Sequence, residues 1–226
     1  ITHNLLKTHP VFFRAYDVLR RDCEDIREKP LIYRKEVLAT LAVTQSPFSL
    51  PNTPEQIEAM RESAREASAE GVMIKRRESP YVSGRKVGHW WKWKLDPMTA
   101  DCVLIYAQAG HGRRASLHSD YTLACWTSDG DLVPVAKAYS GLTDAELKAM
   151  DRWIRKHTVQ KFGPVRQVEP RQVFEIGFEG IARSTRHKSG LALRFPRILR
   201  WRQDVGANDA DRLAHFETLM RDSHAV

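Results

Sequence analysis

The chain contains 226 residues, of which 42% are hydrophobic, and its mean hydropathy is −0.48. This length and composition are typical of a globular protein with room for two modest cores. No apolar run approaches the roughly 18 residues that a membrane-spanning helix needs, so we expect a cytoplasmic protein with no membrane partner. The formal net charge of +8 favours a polyanionic partner such as nucleic acid, although many basic proteins bind none.

The first predicted unit, residues 1–95, combines strands with two helices. The predicted elements are, in chain order, a strand over 11–19, helices over 30–41 and 53–69, and strands over 70–75 and 90–94. The second helix has the clearest start, because Thr53 is a capping residue and Pro54 follows it at the first helical position. Asp96 and Pro97 mark the boundary of the unit, since proline biases the residue before it away from helix.

The second predicted unit, residues 96–226, is mostly strand. The predicted elements are strands over 102–108, 121–126 and 132–138, a helix from 143 to about 161, strands over 173–182 and 191–202, and a helix from 208 or 209 to about 221. A capping box, Thr143 to Glu146, opens the first of these helices. Several short strands with one intervening helix fit a small Greek-key barrel of the OB kind, which often binds nucleic acid. The predicted fold class is therefore α+β.

The strands over 70–75 and 90–94 carry the most informative residues. Side chains alternate along a strand, so Lys92 and Lys94 project from one face while Trp91 and Trp93 project from the other, which we expect to be packed. Glu70 opens an apolar strand, where a carboxylate is costly unless a cation or hydrogen-bond donors meet it. One acid and two lysines together suit a pocket for a metal-bound, polyanionic nucleotide.

Basic residues also crowd a short stretch near the C-terminus. They are Arg183, Arg186, His187, Lys188, Arg194, Arg197, Arg200 and Arg202, and they are interrupted by leucine, isoleucine and phenylalanine; Arg186, Lys188, Arg194, Arg197 and Arg200 are the predicted DNA contacts. A solvated charge run would not usually be interrupted in this way. The alternation predicts a strand with one face in a core and the other toward phosphate.

These segments resemble those of a known superfamily. Residues 70–75 and 90–94 read E-G-x-x-x-K and W-x-K-x-K, which resemble motifs IV and V of the covalent nucleotidyltransferases. This superfamily comprises ATP-dependent DNA ligases, RNA ligases and mRNA capping enzymes. Residues 13–19 are similar to its motif III, residues 194–204 to its motif VI, and residues 186–190 to a run in bacterial, multi-domain ATP-dependent DNA ligases.

The resemblance implies a fold and a site. Residues 1–95 would form the C-terminal part of an adenylation (nucleotidyltransferase) domain, and residues 96–226 an OB-fold domain with a C-terminal helix. The implied catalytic residues are Glu70, Lys92 and Lys94, with the lysines directed at the α-phosphate. The implied nucleotide-binding residues are these three with Tyr16 and Met73 on the two faces of adenine, Arg85 or Lys86 at a phosphate, and Arg202 of motif VI. Glu70 is also the implied metal ligand.

The resemblance further implies ATP-dependent sealing of nicked double-stranded DNA by a monomer near the nucleoid, with Mg²⁺ or Mn²⁺. The sequence departs from the pattern twice: it contains no Lys-x-Asp-Gly, the motif of the covalent nucleophile, and Val205 stands where motif VI ends in a base. We therefore interpret the chain as the C-terminal part of a longer ligase. Two alternatives stay open, an RNA ligase or capping enzyme of the same superfamily and a non-catalytic, OB-based nucleic-acid-binding module.

Overall fold

A computed structural model describes residues 6–7, 11–67, 69–110, 112, 115–139 and 141–224, with only the backbone described over 222–224. The chain divides into two compact units, Ile1–Leu95 and Asp96–Val226. Within the described residues, no helix is both long enough and apolar enough to span a bilayer.

The first unit is built from short elements. They are β1 (Arg20–Arg21), β2 (Glu24–Asp25), α1 (Leu31–Ala39), α2 (Pro54–Glu62), β3 (Gly71–Lys75) and β4 (Trp90–Lys94). The strands form two antiparallel hairpins, β1 with β2 and β3 with β4. The hydroxyl of Thr53 accepts a hydrogen bond from the backbone N–H of Gln56, and Pro54 occupies the first turn, so α2 begins where its capping signal predicts.

An ion pair lies inside the first unit. The guanidinium of Arg34 donates to both carboxylate oxygens of Asp17, at 2.9 and 3.1 Å, and the two side chains are 0% and 3% exposed. The same guanidinium donates to the carbonyls of Lys29 and Ser79. A buried guanidinium needs this many acceptors, because each donor without a partner costs free energy. Arg34 therefore ties α1 to the segment that carries Tyr16.

Two predictions for the first unit were wrong. Over 11–19 the described backbone forms a single bridge, Ala15 to Gln45, instead of a strand, and Phe12 and Phe13 are 73% and 75% exposed. Apolar character predicts a strand only where another strand pairs with it. Helix α2 ends at Glu62 and does not reach Ala69, because the backbone tightens at that point into three-residue hydrogen bonds such as Ala64 N–H to Arg61 C=O.

The second unit is dominated by one sheet. Its elements are β5 (Met98–Ala109), β6 (His118–Trp126), β7 (Leu132–Ala138), α3 (Asp144–Lys156), β8 (Thr158–Phe162), β9 (Val165–Val168), β10 (Val173–Phe178), β11 (Gly180–Arg183), β12 (Leu191–Arg194), β13 (Arg197–Arg202), a 3-10 turn (Ala207–Asp209) and α4 (Leu213–His224). The strand order is β13-β10-β5-β6-β7, with β9 also paired to β5 and to β8, while β11 and β12 form a separate hairpin.

This sheet curls on itself around the core. Leu147, Met150 and Ile154 of α3 pack against the buried side chains of the sheet, at the spacing of one helix face. Gly141, just after β7, has φ +115° and lies so close to Ile198 of β13 that a β-carbon would collide with the Ile198 carbonyl oxygen. The two ends of the strand order thus approach each other, as in an OB-like β region. The predicted α+β class with an OB-like part is confirmed.

The sequence misplaced several boundaries in the second unit. Helix α3 ends at Lys156, and the next residues form β8, because Thr158 and Val159 are β-branched and Thr158 pairs with Val168 of β9. The sequence predicted two or three strands over 173–182 and 191–202, where the structure has four; residues 191–202 form β12 and β13, which belong to different sheets. The strand predicted over 173–182 is likewise divided into β10 and β11. The last helix begins at Leu213 and not at 208 or 209.

Candidate functional site

The hairpin of β3 and β4 fixes which side chains share a face. Lys92 lies opposite Met73, Lys94 opposite Gly71, and Trp90 opposite Lys75. Because residues directly opposite in an antiparallel pair point to the same side, these side chains form one face of the hairpin. The alternation of lysine and tryptophan predicted for β4 is thus present in the structure.

The opposite face of the hairpin differs from the prediction. Trp91 and Trp93 project there, opposite Ile74 and Val72, but the two tryptophans are 43% and 37% exposed. The guanidinium of Arg61 lies 5.3 Å from the centroid of a Trp93 ring. The prediction of a packed face was therefore wrong for the described residues, because a two-stranded hairpin offers only part of the surface that tryptophans need for burial.

A carboxylate and a lysine meet at the end of the hairpin. The Nζ of Lys94 lies 3.0 Å from Oε2 of Glu70, and the two side chains are 47% and 35% exposed. The backbone brings them together, because the N–H of Leu95 donates to the Glu70 carbonyl at 2.9 Å. The carboxylate of such a pair can bind a metal ion, and the ammonium group can bind a phosphate.

The predicted adenine-stacking residue Tyr16 lies beside a small pocket. The pocket has a volume of about 150 Å³ and is lined by residues of the 13–19 segment and by Tyr81. The hydroxyls of Tyr16 and Tyr81 are 3.3 Å apart. Half of Tyr16 is exposed, as is half of Met73, the residue predicted for the other face of the base. The aromatic ring of a tyrosine and the thioether of a methionine can each contact the flat surface of a purine.

The structure adds a residue to this group for which the sequence assigned no role. The Nζ of Lys75 lies 5.0 Å from the ring centroid of Tyr16 and 4.0 Å from that of Trp90. Burial lowers the pKa of Lys75, and the neighbouring charge of Lys35 lowers it further. Lys75 is the last position of the E-G-x-x-x-K pattern, which was the available sequence signal.

Other predicted residues of the first unit are more loosely placed. Arg85 and Lys86 are both exposed, in the loop between β3 and β4.

No group of three or more histidine, cysteine, aspartate or glutamate side chains that could hold a metal ion occurs among the described residues. Glu70 offers one carboxylate, and Mg²⁺ at nucleotides commonly takes one or two carboxylates with phosphate oxygens and water.

The basic residues of the second unit fall into two groups. Arg186 and Lys188 are exposed in the turn between β11 and β12, and neither forms an ion pair with a described residue. Arg197 and Arg200 of β13 instead form ion pairs with acids, Arg197 with Glu179 at 2.9 Å and Arg200 with Glu175 at 3.0 Å. The turn thus presents free positive charge, whereas the charge of β13 is partly compensated.

Between the two strands stands a residue in an unusual conformation. Phe195 has φ +51° and is 64% exposed, with the guanidinium of Arg194 5.2 Å from its ring centroid. A bulky residue in the left-handed region is strained, and such strain concentrates at functional sites. No sequence signal identifies a positive φ at a phenylalanine, although Pro196 shows that the strand is interrupted there.

Arg202, the predicted motif VI contact, is held by two acids within its own unit. Its guanidinium lies 2.9 Å from Asp204 and 2.7 Å from Asp101, and its side chain is 18% exposed. The hydrogen bond to Asp204 holds the pKa of Arg202 above its usual range, and the guanidinium lowers the pKa of Asp204 to about 2. A phosphate would have to compete with these carboxylates for Arg202.

The first unit thus presents an acid and lysines on one hairpin, and the second unit is an OB-like β region. Two family models match the chain, "ATP dependent DNA ligase domain" over residues 2–94 and "ATP dependent DNA ligase C terminal region" over residues 114–205. The chain belongs to the ATP-dependent DNA ligase family.

Individual relatives agree with this assignment. A protein of Koribacter versatilis named "Probable DNA ligase" is 42% identical over 186 residues, which is 82% of this chain and 32% of that protein. A "DNA ligase" of Halorubrum lacusprofundi is 36% identical over 209 residues, 92% of this chain and 35% of that protein. The chain spans about a third of the length of these curated relatives.

Solved structures show the same fold at low sequence identity. The structure Pmar-Lig_PreS3 superposes with a TM-score of 0.61 and 17% identity, and the match covers 88% of this chain and 54% of that chain. A structure from a study of Lig E DNA ligases gives a TM-score of 0.58 and 20% identity, covering 87% of this chain and 65% of that chain.

Proposed function

We propose that this chain is part of the catalytic core of an ATP-dependent DNA ligase, which seals nicks in double-stranded DNA through enzyme-AMP and DNA-adenylate intermediates. The observation that carries the proposal is the face of the β3–β4 hairpin, where Glu70 and Lys94 lie 3.0 Å apart and Lys92 projects from the same side. Such fixed charges stabilise a phosphoryl group during transfer, which is largely an electrostatic task.

The nucleotide would bind across this face. Tyr16 and Met73 would contact the two faces of adenine, Lys92 and Lys94 the α-phosphate, and Arg85 or Lys86 a further phosphate. Glu70 would hold Mg²⁺, or Mn²⁺, together with phosphate oxygens, and its partial exposure leaves room for the waters that such ions retain. The ion would supply charge neutralisation at the phosphate. Arg202 would contribute only after exchanging its carboxylate partners for phosphate.

The DNA would lie against the basic surface of the second unit. Arg186 and Lys188 are the strongest candidates, because they are exposed and carry no competing acid among the described residues. The sequence also predicted Arg194, Arg197 and Arg200, but the ion pairs of Arg197 with Glu179 and of Arg200 with Glu175 make these two weaker candidates. The exposed ring of Phe195 stands in this surface and could pack on the duplex, as apolar side chains do in minor grooves. A monomer acting at the nucleoid in replication, recombination or repair fits this role.

The proposal predicts that two lost phosphate contacts change the salt dependence of DNA binding. Replacing both Arg186 and Lys188 with alanine should make the plot of log affinity against log salt less steep. The magnitude of its slope should fall by about 1.8, which is about 0.9 for each lost contact. The effect should be nearly equal for any DNA sequence, because phosphates carry no sequence information. Nicked-duplex affinity measured at several salt concentrations checks this.

The matched control is the pair Arg197→Ala and Arg200→Ala. Both arginines form ion pairs inside the sheet, so their loss should lower thermal stability more than it changes the slope. If the Arg186 and Lys188 variant keeps the slope of the unaltered chain, this turn does not contact DNA.

A second candidate function, a non-catalytic nucleic-acid-binding module, is favoured by one observation, the absence of Lys-x-Asp-Gly from these 226 residues. We predict that this chain alone will not retain AMP after incubation with labelled ATP and Mg²⁺ followed by denaturation, because the nucleophile is a lysine in that motif. The complete ligase polypeptide should retain it. Retention of AMP by the chain alone would show that a nucleophile lies within it, and failure of the complete polypeptide to retain AMP would favour the binding module.

A further inference from the structure

Lys75 of β3 contacts two aromatic rings of the first unit. Its Nζ is 4.0 Å from the centroid of Trp90 and 5.0 Å from that of Tyr16. Trp90 meets Tyr81 edge to face at 5.4 Å and 85°, and the hydroxyl of Tyr81 is 3.3 Å from that of Tyr16. The contacts form a closed circuit of four side chains, Tyr16, Tyr81, Trp90 and Lys75, which we name the Lys75 cage.

The ammonium group in this cage contacts aromatic rings, and Asp17 stabilises its charged form from beyond ion-pair distance. Lys75 forms no ion pair with a described residue, and it is half-buried. Burial lowers its pKa, as does the nearby charge of Lys35. A half-buried lysine without a carboxylate partner is costly, but an ammonium near the face of tyrosine and tryptophan gains from the ring quadrupoles.

Trp90 is oriented for this contact rather than for a hydrogen bond. Its indole N–H is buried and has no hydrogen-bond partner among the described residues. A buried donor without a partner costs free energy, so the position of the ring is not explained by its polar group. The contacts of its faces and edges, with Lys75 and Tyr81, account for its placement.

Tyr16 depends on the cage for its orientation. The segment that carries it has only the bridge of Ala15 to Gln45 and no strand around it among the described residues. Its ring is 48% exposed, so packing alone leaves much of it free. The hydroxyl contact with Tyr81 and the ammonium of Lys75 on the ring hold it in place. The second of these contacts joins the motif III segment to the strand of motif IV.

We propose that Lys75 is a positioning residue for nucleotide binding, which holds the ring of Tyr16 in the orientation that stacks on the purine. The inference rests on the proposed function, since it presumes that Tyr16 contacts adenine. A pre-oriented ring loses less conformational freedom when the base arrives, so the affinity for the nucleotide rises. Lys75 acts through Tyr16 and need not touch the phosphates itself.

The test uses this chain, labelled with ¹³C at its tyrosine rings, and AMP as the probe. Lys75→Met keeps the length of the side chain and removes its charge, so we expect the Tyr16 ring signals to shift and the AMP affinity to fall by about fivefold. Lys75→Arg should retain most of the affinity, because a guanidinium also packs on rings. In a Tyr16→Leu background, Lys75→Met should have no further effect on AMP affinity.

Lys29→Met is the matched control, because the Nζ of Lys29 lies 6.0 Å from the ring centroid of Tyr33, which is not a member of the cage. It should leave both the Tyr16 signals and the AMP affinity unchanged, and thermal melting of each variant verifies that it is folded. Unshifted Tyr16 signals in Lys75→Met would overturn the inference. Tighter AMP binding in Lys75→Met would also overturn it, since this result would mean that the Lys75 ammonium of the unaltered chain competes with the base. If the unaltered chain binds no AMP, the proposed nucleotide site itself fails, while the Tyr16 signals still decide whether Lys75 orients the ring.

Discussion

Replacing Lys94 with alanine is expected to slow the sealing of a pre-adenylated nick by about 100-fold in the complete ligase polypeptide, since a single charged donor at a reacting oxyanion commonly contributes that much. Lys94 would contact the phosphate under attack, and its loss would also leave Glu70 without the ammonium that lies 3.0 Å away. Lys92→Ala should depress the rate similarly, because Lys92 projects from the same face of the hairpin. Single-turnover sealing rates measure both effects without the ATP-activation step.

Lys148→Ala is the control for this experiment. Lys148 is exposed on α3 of the second unit, far along the chain from the hairpin, and should leave the rate unchanged. If Lys92→Ala and Lys94→Ala seal the nick at the unaltered rate, the two lysines are ordinary solvent-exposed residues of a strand and take no part in sealing.

Replacing Arg34 with methionine is expected to lower the free energy of unfolding of the first unit by about 3–5 kcal/mol, because it leaves the buried carboxylate of Asp17 without a partner. The carbonyls of Lys29 and Ser79 would lose their donor as well. Tyr16 adjoins Asp17, so its orientation should be lost together with the ion pair. Urea unfolding followed by tryptophan fluorescence measures the change.

Arg27→Met provides the comparison for Arg34. Arg27 also pairs with an aspartate, Asp25, but the two side chains are 48% and 45% exposed, so water replaces the lost contact. This variant should unfold at nearly the same urea concentration as the unaltered chain. If both variants unfold alike, the Asp17–Arg34 pair does not stabilise the unit.

The sequence predicted the parts of the site that depend on local geometry. Alternation along a strand is a property of the backbone, so the shared face of Lys92 and Lys94 followed from their spacing. Their pairing with Met73 and Gly71 required the register of the hairpin, which the turn and the loop of 76–89 set. The same locality explains why the capping box of Thr143 and Glu146 is present where the sequence placed it.

Long-range contacts explain what the sequence missed. Tyr16 lies 65 residues before Tyr81 in the chain, and no periodicity indicates that its side chain meets those of Tyr81 and Lys75. The ion pairs of Arg197 and Arg200 with Glu179 and Glu175 arise because β13 lies beside β10, a neighbour set by the fold of the whole sheet. The alternating basic pattern near the C-terminus therefore overstated how much free positive charge β13 presents.

The most direct test of the account compares the affinity of this chain for three duplexes that differ only at one position: a pre-adenylated nick, a plain nick and no nick. A ligase core that holds the nucleotide on the Glu70, Lys92 and Lys94 face should bind the adenylated nick about tenfold more tightly than the intact duplex, as a charge-assisted contact to phosphate would give. Lys92→Ala with Lys94→Ala should abolish that preference and retain the affinity for intact duplex, which we expect the second unit to supply. Equal affinity of the unaltered chain for all three duplexes would contradict the proposed nucleotide site. The chain would then be a nucleic-acid-binding module without such a site.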